Sequence, residues 1–320
     1  MVAVSIPAHK ETFDFIAFSL CENDDNRESH RSLAWSRGET NPSILFHGVV
    51  MRGTAWPVSG KKRPGLLFGR GQGSRPPERR PTYWEATRHP FASLLVVAPM
   101  AALYEGGVLW LGGPAADQLR TGADAWMRQA LQGLGFDDHG ILPILLALVL
   151  LVWQVVAYRN SRVSPSIVMG MLLESLVWAV LLVAASRLLE RGFAYLDQAW
   201  SPLLALAAKD GPSAREIMAY VGAGLYEETL FRLILVPLIY QALRLAHTPA
   251  AIASAFAVVA AGLLFALAHH AGAPAEPFTW FAFIFRWMAG VYFAWLFILR
   301  GFGVAAAAHA GYDILVSLAF

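Results

Sequence analysis

Three short groups of residues in this sequence have the types and spacing that chemistry requires. The first is Glu227-Glu228-Thr-Leu-Phe-Arg232, set in an otherwise apolar stretch. On a helix Glu228 and Arg232 are i and i+4 and can pair on one face. Glu227 then points about 100° away and can face a cavity as a general base, beside a carboxylate already neutralised by arginine. The plainer reading, an ion pair that only packs helices together, accounts for Glu228 and Arg232 but leaves Glu227 without a role. The second group is Phe265-Ala-Leu-Ala-His269, followed at once by His270. Alone, it would be an ordinary histidine at the end of a span. The third is His309-Ala-Gly-Tyr-Asp313, again i and i+4 on one face, with small residues around it that let other helices approach closely. An Asp–His pair can be a simple core hydrogen bond. Three separated segments that each bring carboxylate or imidazole into apolar surroundings are harder to explain by packing.

The surroundings give these groups their weight. Hydrophobic residues make up 56% of the 320 and charged residues 15%, against about 25% charged in an ordinary soluble protein. Charge is also uneven: residues 1–87 hold 12 Lys/Arg and 9 Asp/Glu, or 21 of the 48 charges, which leaves 27 for the remaining 233 residues. A charge at bilayer depth costs about 2.5–3.5 kcal/mol even on the lenient insertion scale, so each one within an apolar span needs a reason. Besides the three groups, Glu105, Glu174 and Arg286 are such charges.

The elements that must position these groups are transmembrane helices. The fold expected is an all-α, polytopic transmembrane helix bundle of about seven spans, with six to eight as the range. The spans are 91–112, 141–158, 165–187, 214–243, 249–269, 278–299 and 302–319, with Pro237 able to kink the long fourth one. Between the first two, residues 116–136 place Leu119, Ala123, Trp126, Ala130 and Leu131 at helical spacing, the pattern of an amphipathic helix on the membrane surface. Residues 1–87 form a basic, Gly/Pro-rich N-terminal segment, read as poorly ordered. Residues 88–212 hold the first transmembrane helices and the connecting amphipathic helix, and 213–320 hold the three groups. Arg79, Arg80, Arg88, Arg159, Arg162, Arg244 and Arg300 fall on one side of this arrangement, and Arg120, Arg128, Arg187, Arg191 and Lys209 on the other. The modest bias places the N-terminus in the cytoplasm of a multi-pass plasma-membrane protein.

Several classes are disfavoured. A net charge of +2 is too small to call for nucleic acid, and a single cysteine, Cys21, forms neither an intrachain disulfide nor a cysteine-based zinc knuckle. Lys10, Glu11 and Asp14 interrupt any signal-peptide core. The Gly69–Ser74 stretch lacks the GK[ST] ending of a phosphate loop. No GxSx motif of a serine rhomboid lies in a span.

Glu-Glu-x-x-x-Arg, then Phe-x-x-x-His, then His-x-x-x-Asp, in that order on successive hydrophobic helices, resemble the CPBP family of intramembrane proteases, which includes the type II CAAX prenyl endopeptidases and proteins of bacteriocin maturation and immunity. The resemblance spans 213–320, where Arg286 before Met-Ala-Gly290 and Arg300-Gly-Phe-Gly303 also fit. It implies an endopeptidase that hydrolyses a peptide bond in a membrane-associated protein or peptide. Glu227, with His269, would activate a water, Glu228 and Arg232 would orient, and His309 with the residue four later would steady the oxyanion. Here Asp313 stands where asparagine is common. An ionised aspartate does not donate to an oxyanion, so Asp313 would be protonated, orient His309 or ligate a metal.

The metal remains open at this level. Glu227, His269 and His309, with Glu228 and Asp313, could supply zinc with oxygen and nitrogen ligands. HExxH is absent, however, and a Glu–His pair activating water directly fits equally well. The partners expected are the lipid bilayer and a protein or peptide substrate, with no nucleic acid. The competing classes are a proton-coupled transporter, which should show inverted repeats not found between 91–187 and 214–319, and a catalytically silent immunity or scaffold protein of the same fold.

The decisive geometric expectation is that Glu227, His269 and His309 converge within about 8 Å. It meets a conflict. His269 ends its span, while His309 lies about 7 residues, roughly 10 Å, inside the last one. With straight helices and level ends, the two could not meet.

Overall fold

The computed structural model describes residues 82–158, 163–196, 211–271 and 277–319. Residues 1–81, and with them the expected disorder of the N-terminal segment, lie outside that set, as do Arg159, Arg162 and Lys209 of the charge-bias argument.

Every regular element among the described residues is helical. A capping box of Thr82 and Glu85 opens the single turn α1 (Tyr83–Ala86). Pro90 starts α2 (Pro90–Gly112) at a position where its missing N–H is not needed. A 3₁₀ segment (Gly113–Leu119) leads to α3 (Gly122–Gly133), followed by α4 (Ile141–Tyr158) and α5 (Pro165–Leu196). A second capping box, Ser213 with Glu216, opens α6 (Ala214–Glu228). That helix runs through a π-helical turn (Thr229–Leu235) into α7 (Val236–Leu245). Last come α8 (Ala250–Ala268), α9 (Trp280–Arg300), capped by Thr279, and α10 (Phe302–Ala319).

The expected spans all exist as helices, but they are not equivalent. Among the described residues, four segments are long and apolar enough to cross a bilayer unaided: Pro90–Leu119, Pro165–Tyr195, Ala250–Ala268 and Trp280–Arg300. Ile141–Val156 and Phe302–Leu318 are shorter apolar helices. The 214–245 stretch carries Arg215, Glu216, Glu227, Glu228, Arg232 and Arg244 and is the least apolar of the seven. Exposed Ile144, Val155, Leu173 and Val177 on the outer faces of α4 and α5 suit a hydrocarbon solvent, not water. The protein is a helical membrane protein.

The widened turn at 229–235 lies where Pro237 cannot continue the i→i−4 ladder; the π register absorbs the interruption without a break in the helix. α10 lies centrally, packed on α2, α5, α6 and α9. Its buried Ala305, Ala306, Ala308 and Ala310 permit that crowding. Opposite them is Gly224 of α6, where an added Cβ would lie 2.6 Å from the Ala310 nitrogen and 2.7 Å from the Ala306 oxygen. α8 and α9 cross just as closely, since a Cβ on Gly290 would meet the Gly262 Cα at 2.7 Å.

The surface helix differs from expectation in its face. α3 buries Ala123, Asp124, Met127 and Arg128, and turns Trp126 and Ala130 outward. An apolar face on lipid with charges in water was the pattern read from the sequence. The charges instead face the protein because partners await them there: Asp124 takes Arg120 at 2.8 Å and Arg128 at 2.6 Å, and Arg128 also pairs with Glu105 of α2 at 2.6 Å.

Candidate active site

The three groups meet. Glu227 lies in the last turn of α6, His269 caps the C-terminus of α8, and His309 sits in the middle of α10. Glu227 Oε2 is 4.0 Å from His269 Nε2 and 3.8 Å from His309 Nε2. The conflict over helix depth came from assuming level helix ends. α8 stops at His269, whereas α10 runs ten residues past His309, about 15 Å at the helical rise.

Glu228 forms the floor. It is fully buried, and its Oε1 takes Arg232 Nη1 at 2.8 Å and His309 Nδ1 at 2.8 Å. The i, i+4 pairing read from the sequence therefore holds, but Glu228 also bridges to α10, which spacing could not reveal. Arg232 donates through Nη2 to the Gly290 carbonyl of α9 at 3.1 Å, and its guanidinium lies 4.5 Å from the centroid of the Phe265 ring. Phe265 touches both imidazoles edge-on, at 4.7 Å from His269 and 5.9 Å from His309, while Phe293 stacks on His309 at 4.5 Å. The Phe of Phe-x-x-x-His thus shapes the site as a wall shared by three of its polar members.

Partners set the tautomers. His269 Nδ1 lies 2.9 Å from the Phe265 carbonyl, which only accepts, so Nδ1 donates and Nε2 offers its lone pair toward Glu227. His309 Nδ1 donates to the Glu228 carboxylate, and its Nε2 faces both Glu227 and Asp313, the latter at 3.7 Å. Exposure grades across the cluster. Glu228 and Arg232 are 0% and 1% exposed and His309 6%, but Glu227, Asp313 and His269 reach 16%, 23% and 25%. The supporting groups are sealed and the others open to one side.

The gaps of 3.7–4.0 Å around Glu227, His269, His309 and Asp313 exceed direct hydrogen-bond length and match polar groups that share a water. Among the described residues, no group of three or more His, Cys, Asp or Glu side chains is disposed to hold an ion. Each imidazole is oriented through Nδ1, by the Phe265 carbonyl or by Glu228, which leaves its Nε2 facing Glu227.

Two further carboxylates on the list of costly charges have partners that the sequence did not show. Glu174 of α5 takes two hydrogen bonds from Arg300 of α9, along with Tyr83 at 2.7 Å and Trp178 at 3.0 Å. Glu105 of α2 takes Arg120, Arg128 and the Tyr226 hydroxyl. Arg120 and Arg128 read as loop charges in the sequence. The signal that could have found them is the i, i+4 spacing of Arg120, Asp124 and Arg128.

A helical membrane protein with carboxylates and imidazoles gathered inside its bundle is the class that fold and site define. Residues 212–315, about a third of the chain, match the family model described as type II CAAX prenyl endopeptidase Rce1-like. All three groups fall inside the matched segment. No curated protein and no solved structure matches the chain.

Proposed function

We propose that this protein is an intramembrane endopeptidase in which Glu227 and His269 activate a water against a peptide carbonyl. The observation that carries the reading is the convergence of Glu227, His269 and His309 from three helices to within 4.0 Å, inside the Rce1-like segment. A water between Glu227 Oε2 and the His269 Nε2 lone pair gives its proton to the carboxylate as its oxygen bonds to the carbonyl carbon. His309 Nε2 stands opposite, and in its protonated form donates to the oxyanion. Collapse of the tetrahedral intermediate breaks the C–N bond, and Glu227 returns the proton to the leaving amine. Glu228 and Arg232 hold Glu227 and His309 in register. Asp313 orients His309 through Nε2 in the resting site.

The substrate is a membrane-associated protein or peptide, met at the bilayer. A prenylated CAAX tail, a peptide precursor and a membrane-protein segment all fit this description. The positive residues favour a plasma-membrane protein with a cytoplasmic N-terminus.

The test is proteolysis of a candidate peptide library in detergent. Glu227→Gln and His269→Ala are each expected to lower kcat by about 10²–10⁴-fold, the scale of general acid–base catalysis. A chelator is expected to leave wild-type activity intact. Its loss on chelation, with return on added zinc, would assign the water activation to a metal. Equal cleavage by wild type and both variants would remove the mechanism.

A further inference from the structure

We propose that Tyr226 and Glu105 are positioning residues for Glu227, through which the surface helix α3 sets the rotation of the site-bearing helix α6. Glu227 has no neighbour closer than 3.8 Å among its site partners, so its aim depends on what holds the backbone on either side. One side is Glu228, tied to Arg232 and His309. The other is Tyr226, about 100° away around the helix in the opposite sense. Its side chain is fully buried, its hydroxyl donates to Glu105, and its ring meets Tyr104 edge-on at 5.3 Å. Glu227 is therefore flanked by two residues anchored in different directions.

The second anchor does not end at Glu105. The same carboxylate takes Arg128 Nη2 at 2.6 Å and Arg120 Nη1 at 3.2 Å. Asp124 bridges both guanidiniums and accepts from the Tyr104 hydroxyl at 2.9 Å. Arg128 also donates to the His139 carbonyl at 2.6 Å. Glu105, Asp124, the two guanidiniums and two phenols thus make a cluster that ties α3 to α2 and α6. Tyr104 packs against Gly222 of α6, where an added Cβ would come within 2.1 Å of its ring. The contact fixes α6 one turn before Tyr226. A cluster serving stability alone could lie anywhere in the fold. This one ends on the residue beside Glu227.

The second cluster supplies an internal control, because Tyr83 donates to Glu174 in the same manner but far from Glu227 in the chain and on other helices. The kinetic arm rests on the protease reading, and an exchange arm does not. Tyr226→Phe, which removes one hydroxyl, is expected to lower kcat by about tenfold to a hundredfold with KM within about twofold, as a small misplacement of a reacting group does. Tyr83→Phe is expected to leave kcat unchanged. In hydrogen–deuterium exchange of the purified full chain, the amides of 224–232 should exchange faster in Tyr226→Phe than in wild type or Tyr83→Phe. Glu105→Gln is the second variant, with the same expectations. Unchanged exchange in 224–232 for both α6-cluster variants overturns the inference whether or not the wild type cleaves any peptide. So does unchanged kcat in an active enzyme, or an equal fall in Tyr83→Phe. If the wild type cleaves nothing while exchange rises as expected, the protease reading fails and the tie from α3 to α6 stands.

Discussion

Asp313 is the residue at which this site departs from the commoner pattern of the family it resembles. Its carboxylate faces His309 Nε2 at 3.7 Å from one turn along the same helix, and its side chain is 23% exposed. A carboxylate there can accept from His309 but has no proton to give while ionised. Asparagine can accept through its amide oxygen and donate through its nitrogen. If orientation of His309 is the contribution, Asp313→Asn should keep kcat within about threefold and Asp313→Ala should lose about tenfold or more, as expected for a group that acts through another. Steady-state kinetics on one cleaved peptide separates the cases: equal losses in the two variants would assign the role to the negative charge itself. The residue spacing already showed Glu228 paired with Arg232. It did not show that Glu228 would also hold His309, 81 positions later, because that bond exists only once α6 and α10 are side by side.

At the scale of elements, the contact that brings Glu228 to His309 is Gly224 against Ala306 and Ala310, one turn before the carboxylate. A side chain there has backbone on two sides and no flexible neighbour to displace. Gly224→Val should push α6 off α10, lengthen the Glu228–His309 bond and lower kcat by about a hundredfold. Gly106→Ala, on a face of α2 with nothing within 4 Å, should leave kcat unchanged in the same assay. The sequence indicated the small-residue surface of α10 and the helical character of every span. The π turn at 229–235 was legible only as a possible kink at Pro237, since the choice between a kink and a widened turn depends on what packs around the helix. The face of α3 was misread for a related reason. Periodicity shows which residues share a face, not whether buried countercharges are waiting on the other side.

For the whole molecule, the second ion cluster joins the beginning of the described chain to its end. Arg300 closes α9, lies 3.8 Å over the Trp84 ring and pairs with Glu174 of α5. Beside it Gly301, at φ 90°, turns the chain into α10, where an added Cβ would meet the Thr87 carbonyl at 2.8 Å. Removing one partner of a buried pair leaves an uncompensated charge. Arg300→Ala should therefore cost about 3 kcal/mol of stability, read as a lower thermal midpoint in detergent. Activity per folded molecule should be unchanged, since no atom of this cluster touches Glu227, His269 or His309. A fall in kcat without loss of stability would instead make it part of the site.

The sequence by itself determined the class of protein, the helices and the candidate site residues, because lipid makes intramembrane charge costly and leaves few such residues to choose among. It also determined the pairs that lie within one helix, whose geometry is fixed by a period of 3.6 residues. Only the tertiary structure decided which charges answer one another across helices: Glu228 with His309, Glu105 with Arg120 and Arg128, Glu174 with Arg300. Those pairings depend on relative depth and rotation. Both are set by where small residues let two backbones touch, and no single segment of the chain contains that information.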